Sequence, residues 1–397
     1  MNNKIIKLAN ELDCTGCSAC ADVCPVSCIS MSDAGRLFSY PQIDPDKCIK
    51  CGKCMKVCPS INELIPINFK QRFYAAWNKN ETERMNSTSG GVGYALGVSA
   101  LKRGYSVCGV MFSSDFDVIH SVAYDNEELK HFCGSKYVQS NSSGIYKSIL
   151  NHLQQGGKTF FIGTPCQVEG LKRYLPSQYL ENVITCEIIC HGVNSPRVWK
   201  DYRKDLESKY SSKLTQYNFR SKSQGWQKPS GTPNLRVYYS FSNRTSKDVP
   251  ALNNQFHYWF AQHYILRPSC VHCHYRNELR RADLTIADFW GVQNVYPEVD
   301  TFSGVSAVIV SSEMGLDFLN EVEGVELKPV DEALAKSQLR GYVEKKDRSS
   351  QEQEIEKIKD FEKMYLSKGY SIMAKQYSHP TEVGLIIKKI LSKLGVR

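Results

Sequence analysis

Cys14-Thr15-Gly16-Cys17-Ser18-Ala19-Cys20-Ala21-Asp22-Val23-Cys24-Pro25 and Cys48-Ile49-Lys50-Cys51-Gly52-Lys53-Cys54-Met55-Lys56-Val57-Cys58-Pro59 are one pattern written twice, C-x2-C-x2-C-x3-C-P. In that spacing three close thiolates grip one iron–sulfur cube, and the fourth cysteine crosses over to the other cube. Cys14, Cys17, Cys20 and Cys58 are therefore assigned to one [4Fe–4S] cluster, and Cys48, Cys51, Cys54 and Cys24 to a second. A zinc ribbon needs two C-x2-C pairs, and neither the third cysteine nor the C-P step of each run. Cysteines one turn apart are poorly placed to form disulfides. The chain is read as one that moves electrons.

The repeat is the signature of a bacterial dicluster ferredoxin and fixes residues 1–60 as that module. Residues 61–72, with Pro66, read as a linker. The length of 397 residues leaves room for a larger domain, and 42% apolar content can fill its core. No apolar run approaches the roughly 18–20 residues of a membrane span, and residues 1–10 lack a signal core. A reducing cytosol, which keeps 16 cysteines as thiols or metal ligands, is the expected compartment. The formal charge of +9 invites a nucleic-acid reading. Each cube with its thiolates carries about −2, so three would bring the total to roughly +3. The basic residues are also spread out, and no nucleic-acid partner is expected.

Beyond residue 73 the grammar alternates. Strands are expected at 73–77, 105–112, 118–124, 158–163 and 183–190. Helices are expected at 90–102, 145–154, 168–174 and 196–210, the first with caps offered by Ser87-Thr88-Ser89. Alternation of this kind predicts an α/β domain with a mostly parallel sheet. Further strands are expected at 214–220, 235–241, 284–289 and 305–310, with a helix at 253–266. The tail from 346 reads as helical and broken near 378–380. Its last piece, 382–394, places Val383, Ile386, Ile387, Ile390 and Leu394 on one face. That face suits docking on its own domain or on a second copy in a homo-oligomer. Its lysines would also permit a membrane surface, the less expected reading.

Four further cysteines sit at suggestive points. Cys166 follows a buried strand, Cys190 closes another, and Cys270 and Cys273 form C-x2-C. The carboxyl ends of parallel strands share one edge of a sheet, where ligands bind. From spacing alone two readings stay open. The four cysteines hold a third [4Fe–4S] cube, or Cys166 and Cys190 are buried thiols while Cys270 and Cys273 bind zinc with His272 or His274.

Six stretches in order carry a family resemblance: SGGV at 89–92, GSKYVQS at 134–140, GTPCQ at 163–167, CHGVNSPRVW at 190–199, the C-x2-C at 270–273 and ADLTIADFWG at 282–291. Residues 73–345 resemble the beta-subunit family of the coenzyme F-420-reducing hydrogenases and dehydrogenases. The resemblance implies FAD and an iron–sulfur cluster in this domain, and so favours the third cube at Cys166, Cys190, Cys270 and Cys273. The expected architecture is an α+β ferredoxin-like dicluster domain (1–60), an α/β flavin-binding domain (73–345) and a helical tail (346–397). Candidate FAD-binding residues are Ser89, Gly90 and Gly91 at a helix start, where bare N–H groups suit a pyrophosphate. Ser135, Lys136 and Tyr137 in a loop, with Thr164 and Gln167 beside Cys166, complete the set. Lys136, His191 and Asp288 are candidate catalytic residues, for charge stabilisation or proton transfer. The function expected is electron transfer between a ferredoxin-like donor and a two-electron substrate or coenzyme. The alternative is an electron-transfer subunit serving a separate catalytic partner.

Overall fold

The structure is a computed structural model that describes residues 6–64, 68–228, 230–339 and 347–379. The segment 382–394, expected as an amphipathic helix, lies outside the described residues.

In the N-terminal module a short helix follows the second cysteine of each run: α1 (Ala19–Asp22) and, later, α2 (Lys53–Val57). Each starts after a residue in the left-handed region, Ser18 at φ 66° and Gly52 at φ 74°. Gly52 takes that conformation at no steric cost, whereas Ser18 is held in it. Between the helices, β1 (Ile29–Ser32) pairs antiparallel with β2 (Tyr40–Ile43).

The rest of the chain is built on β3 (Arg72–Asn78), α3 (Glu81–Asn86), α4 (Val92–Lys102), β4 (Tyr105–Phe112), β5 (Val118–Ala123), α5 (Asn126–Lys130), α6 (Ile145–Gln154), β6 (Lys158–Gly163), α7 (Pro165–Tyr174), β7 (Val183–Ile188) and α8 (Pro196–Tyr210). It continues through β8 (Leu214–Asn218), β9 (Arg236–Phe241), β10 (Ser246–Pro250), α9 (Gln255–Ala261), β11 (Leu284–Asp288), β12 (Ser306–Val310), α10 (Glu313–Asn320), β13 (Val325–Val330), α11 (Glu332–Gln338), α12 (Arg348–Lys368) and α13 (Tyr370–Gln376). Eight strands form one sheet in the order β13-β3-β12-β11-β7-β6-β4-β5. Its centre, β11-β7-β6-β4, is parallel. Its flanks pair antiparallel, so the sheet is mixed. A second, three-stranded sheet is ordered β10-β9-β8.

The central strands are apolar on both faces because helices cover both. Side chains alternate across a strand. Phe160 faces a cluster with Leu96, Ala100, Leu316 and Phe318, and its neighbour Phe161 faces one with Ile149, Leu153, Val168 and Leu171. A third cluster is aromatic: Trp199, Tyr217, Phe219, Phe256, Trp259, Phe361 and Tyr365 join α8, α9, α12 and the small sheet.

The N-terminal module enters both of the last two clusters. Cys17 and Ala19 pack with Tyr146, Phe161 and Val168; Leu37, Phe38 and Tyr40 pack with the aromatic group.

Local differences from the sequence expectations have local causes. Ser87, Thr88 and Ser89 do not cap α4; its cap is Gly91 at φ 74°. The helix expected at 253–266 is seven residues long, and the chain leaves it through His263 at φ 60°. The strand expected at 183–190 ends at Ile188, which frees Cys190 from the ladder. The tail also turns at Gly369, ahead of the break expected near 378–380, and α13 ends at Gln376.

Candidate redox site

Three cysteine quartets surround three cavities. Cys24, Cys48, Cys51 and Cys54 line one of about 310 Å³, closed by Ile6, Ile29, Ile43 and Ile49. Cys14, Cys17, Cys20 and Cys58 line a second of about 320 Å³, closed by Leu8, Met31, Pro41 and Pro59. The crossover of Cys24 and Cys58 expected from the spacing is the grouping these cavities have. Cys166, Cys190, Cys270 and Cys273 line the third, of about 620 Å³, together with Gln139, Thr164, Gln167, His191, Tyr275, Arg276 and Arg280.

The third quartet assembles at the carboxyl edge of the parallel strands. Cys166 stands in the first turn of α7, directly after β6. Gln167 Oε1 accepts from the Thr164 backbone N–H at 3.0 Å and from its hydroxyl at 2.9 Å, fixing the entry of that helix. Thr164 Oγ1 lies 3.1 Å from Cys166 Sγ. Cys190 follows β7, and Cys270 and Cys273 come in on a loop after α9. Burial pushes the Cys190 thiol up to about 12 and Cys270 to about 11, each reinforced by neighbouring cysteines. Thiols so buried become thiolates only beside strong positive charge, such as iron or the adjoining Arg276 and Arg280. His272 Nε2 lies 3.1 Å from Asp13 Oδ1.

Thr15 lines both the second and the third cavity. Gln139 Nε2 donates to Thr15 O at 3.1 Å, holding that wall in place. On α7, Gly170 is one turn from Cys166 and faces Cys17.

The other candidate residues lie along the same edge, mostly with internal partners. Gly90 N donates to Ser306 Oγ at 2.9 Å and Gly91 N to Thr88 O at 3.1 Å, so these two N–H groups are not free to hold a phosphate. A Cβ at Gly90 would lie 2.5 Å from Ala76 O, and close packing on β3 is what requires glycine there. The first turn of α4, just beyond, has no side-chain cap. Ser135 N donates to Thr88 Oγ1 at 3.0 Å, which joins the two loops. Lys136 Nζ donates to the carbonyls of His131 and Cys133, at 3.0 and 2.8 Å, and burial lowers its pKa to about 7. Tyr137 packs among Phe219, His257 and Phe260, and its hydroxyl accepts from Arg220 Nη1 at 2.9 Å. Asp288 ends β11 and pairs with the same Arg220 nitrogen at 3.3 Å. His191 Nε2 is 2.7 Å from His263 Nε2, and His263 Nδ1 contacts Glu354 on α12.

Residues the sequence reading missed are Gln139, Arg220, Lys222, His263, Arg267, Arg276 and Arg280. Gln139 lay inside the 134–140 motif, and Arg276 and Arg280 lay close after the C-x2-C pair. Nothing local marked Lys222, which is buried and donates to the carbonyls of Arg84, Ser89 and Ser303.

Comparison with known proteins matches both halves. Residues 156–333 fit the family model for the C terminus of the coenzyme F420 hydrogenase/dehydrogenase beta subunit, and residues 13–61 and 40–94 fit 4Fe-4S dicluster domains. The chain is 24% identical over 180 residues to the coenzyme F420-dependent sulfite reductase of Methanocaldococcus jannaschii, covering 44% of this chain and 27% of that protein. It is 20% identical over 204 residues to the F subunit of the F(420)H(2) dehydrogenase of Methanosarcina mazei, covering 48% and 56%. Its N-terminal part is 43% identical over 54 residues to the B subunit of the Na(+)-translocating ferredoxin:NAD(+) oxidoreductase complex of Acetobacterium woodii, covering 13% and 15%. The matches thus span less than two thirds of each of these relatives. A chain of the F420-reducing [NiFe] hydrogenase complex from Methanosarcina barkeri superposes with a TM-score of 0.45 at 16% identity, covering 77% of this chain and 95% of that one. The dicluster domain supports two [4Fe–4S] clusters, and among the described residues no helix is long and apolar enough to cross a membrane. Residues 156–333 thus belong to the C-terminal family of the coenzyme F420 hydrogenase/dehydrogenase beta subunit, an iron–sulfur oxidoreductase family, and an N-terminal 4Fe-4S dicluster ferredoxin domain precedes them.

Proposed function

We propose that the protein is an iron–sulfur flavoprotein oxidoreductase that passes electrons between a ferredoxin-like donor and a two-electron substrate. The observation that carries this is the row of three cysteine-lined cavities, of which the second and third share Thr15 as a wall. In this reading Cys166, Cys190, Cys270 and Cys273 hold a third [4Fe–4S] cluster.

FAD fits the same edge by charge. Lys136 and Lys222 donate there to backbone carbonyls, Arg220 pairs with Asp288, and among the described residues Arg220 Nε and Nη2 are buried without hydrogen-bond partners. These basic groups suit an anionic cofactor, with the uncapped first turn of α4 and Lys136 as its holders. When bound, FAD would supply the exchange between one-electron and two-electron chemistry. The chain's own part is to position and to exclude water. Gln139 and Asn194 fix the 134–140 loop, with Asn194 Nδ2 donating to Tyr137 O at 2.7 Å and Gln139 N donating to Asn194 O at 2.9 Å. His191, His263 and Glu354 form a connected line of proton-carrying groups beside Cys190.

A second reading is an electron-transfer subunit with no substrate chemistry of its own. Two of the relatives bear names of complex subunits, which favours it. Anaerobic purification followed by iron, sulfide and flavin analysis tests both. About twelve iron atoms, four per cube, with bound flavin and turnover by the isolated chain support the enzyme. Iron without flavin or turnover supports the subunit, and about eight iron atoms would remove the third cluster.

A further inference from the structure

Arg267 is fully buried, and its charge has no carboxylate partner within ion-pair distance among the described residues. Its guanidinium makes four hydrogen bonds, all to neutral groups or to one sulfur. Nε donates to Cys14 O at 2.7 Å, Nη1 to Gln139 Oε1 at 2.7 Å, and Nη2 to Ser39 O at 3.1 Å. Nη2 also points at Cys14 Sγ, 3.6 Å away. The rings of Tyr40 and Phe38 lie 4.5 and 5.3 Å from its central carbon. Burying a cation without a counter-ion is costly. Neutral carbonyls and two aromatic faces do not replace an anion. The anion that this pocket adjoins is the thiolate set of Cys14, Cys17, Cys20 and Cys58 once it carries its cluster.

We infer that Arg267 is a positioning residue for that quartet, whose positive charge raises the reduction potential of its cluster above that of the Cys24, Cys48, Cys51 and Cys54 cluster. The inference rests on the two-cluster reading of the N-terminal domain and needs neither a third cluster nor flavin. Reduction adds one electron, supplied by a one-electron carrier, to a site already about −2. A fixed cation at hydrogen-bond range stabilises the more negative reduced form more than the oxidised form, and burial amplifies the effect. Around the outer quartet the cations are solvated: Lys47, Lys50, Lys53 and Lys56 are all exposed, as is Cys51 itself. Their charges are screened by water and salt.

The placement gives the tuning a direction. Arg267 O accepts from Cys270 N at 2.9 Å, and Gln139, which holds Nη1, also lines the third cavity. Arg267 thus stands between the inner ferredoxin quartet and the third quartet. An electron arriving at the exposed outer cluster is drawn to the one farther inside. Gly16 is part of the device. At φ 69° any Cβ there would sit 2.2 Å from Gln139 Nε2 and 2.8 Å from Arg267 Nη1.

The test is a redox titration of the anaerobically purified full chain, followed by electron paramagnetic resonance. The inner cluster is identified as the signal lost in Cys20→Ala. Arg267→Gln, neutral but still a donor, should lower the one-electron reduction equilibrium of the inner cluster tenfold or more, about 59 mV per tenfold. Arg267→Lys keeps the charge and should stay within threefold of wild type. The outer cluster should not move in either variant. Should Arg267→Gln fail to hold iron, Arg267→Met is measured in its place and must show the same fall. An unchanged inner potential overturns the inference, as does an equal shift of both clusters. A fall in Arg267→Lys as large as in the neutral variant also overturns it, because charge would then not be the agent.

Discussion

Gly170 on α7 lies against Cys17 of the ferredoxin module: a Cβ at Gly170 would stand 3.3 Å from Cys17 Sγ and 3.2 Å from the Tyr146 hydroxyl. The helix that carries Cys166 therefore rests directly on a ligand position of the inner N-terminal quartet. The contact admits hydrogen and little more. Gly170→Leu is expected to push α7 off Cys17, costing about 1–3 kcal/mol as overpacking does. Thermal unfolding and iron content check it. A variant with wild-type melting and full iron would show that the seam is loose.

The crossover of ligands gives a sharper expectation. Cys58 lies beside Cys14, Cys17 and Cys20, although its own run is the second one. Cys58→Ala should disturb the cluster of the first three cysteines of run one. Loss confined to the cluster of Cys48, Cys51 and Cys54 would refute the pairing.

Replacing Cys166 should lower the iron content from about twelve to about eight per chain, because one cube is lost and two remain. The signals of the two N-terminal clusters should persist. Unchanged iron would mean that the third quartet holds no cluster.

Two buried histidines predict an acid limb of stability. His120 stacks on Phe161 at 5.8 Å, and among the described residues neither of its ring nitrogens has a hydrogen-bond partner. Burial lowers its pKa to about 4, and that of His257 to about 3, where Arg220 adds to the effect. Between an ordinary value of about 6.5 and these values, the unfolded chain binds protons that the fold does not. Stability is thus complete above about pH 6.5 and falls as the pH drops, by up to about 1.4 kcal/mol per pH unit for each histidine. His120→Phe should flatten the decline of the urea midpoint between pH 7 and pH 5. Parallel curves for variant and wild type would exclude His120 as a source.

Residues 61–397 expressed alone should fold less stably than the whole chain. Cys17, Ala19, Leu37, Phe38 and Tyr40 belong to hydrophobic clusters whose members outside the N-terminal module all lie beyond residue 100. Removing them uncovers Tyr146, Phe161 and the aromatic group. Calorimetry of the fragment checks this, and a melting temperature equal to that of the full chain would show two independent units.

Much of the site was readable in one dimension because its ligands come in short-range patterns. The cysteine runs name their own partners, and β6 and α8 have the bounds expected because turn residues flank them, Gly156-Gly157 before the one and Ser195-Pro196 at the start of the other. What escaped was what long-range packing decides. Arg267 looks like any surface arginine until Cys14, 253 positions away, is folded against it. Lys222 looks solvated until three carbonyls close around it. Ser87, Thr88 and Ser89 look like caps, yet Thr88 accepts from Ser135 and Ser89 donates to Val305. The antiparallel flanks of the sheet were hidden for the same reason. β3 and β13 flank the parallel strands only through pairings that no local signal announces.

The long helix α12 reaches back to the start of the chain: Glu362 Oε1 accepts from Leu37 N at 3.0 Å, 325 positions earlier. At about 5–20 residues per second, synthesis would separate these partners by roughly 15–65 s. For most of that interval the first sixty residues exist while Arg267, and later α12, are still to be made. A nascent chain of this design offers the eight cysteines of its two runs early, and closes over them only once Arg267 and then α12 have been made. The order in which the ribosome writes the protein is then also the order of its assembly, metal first and lid last.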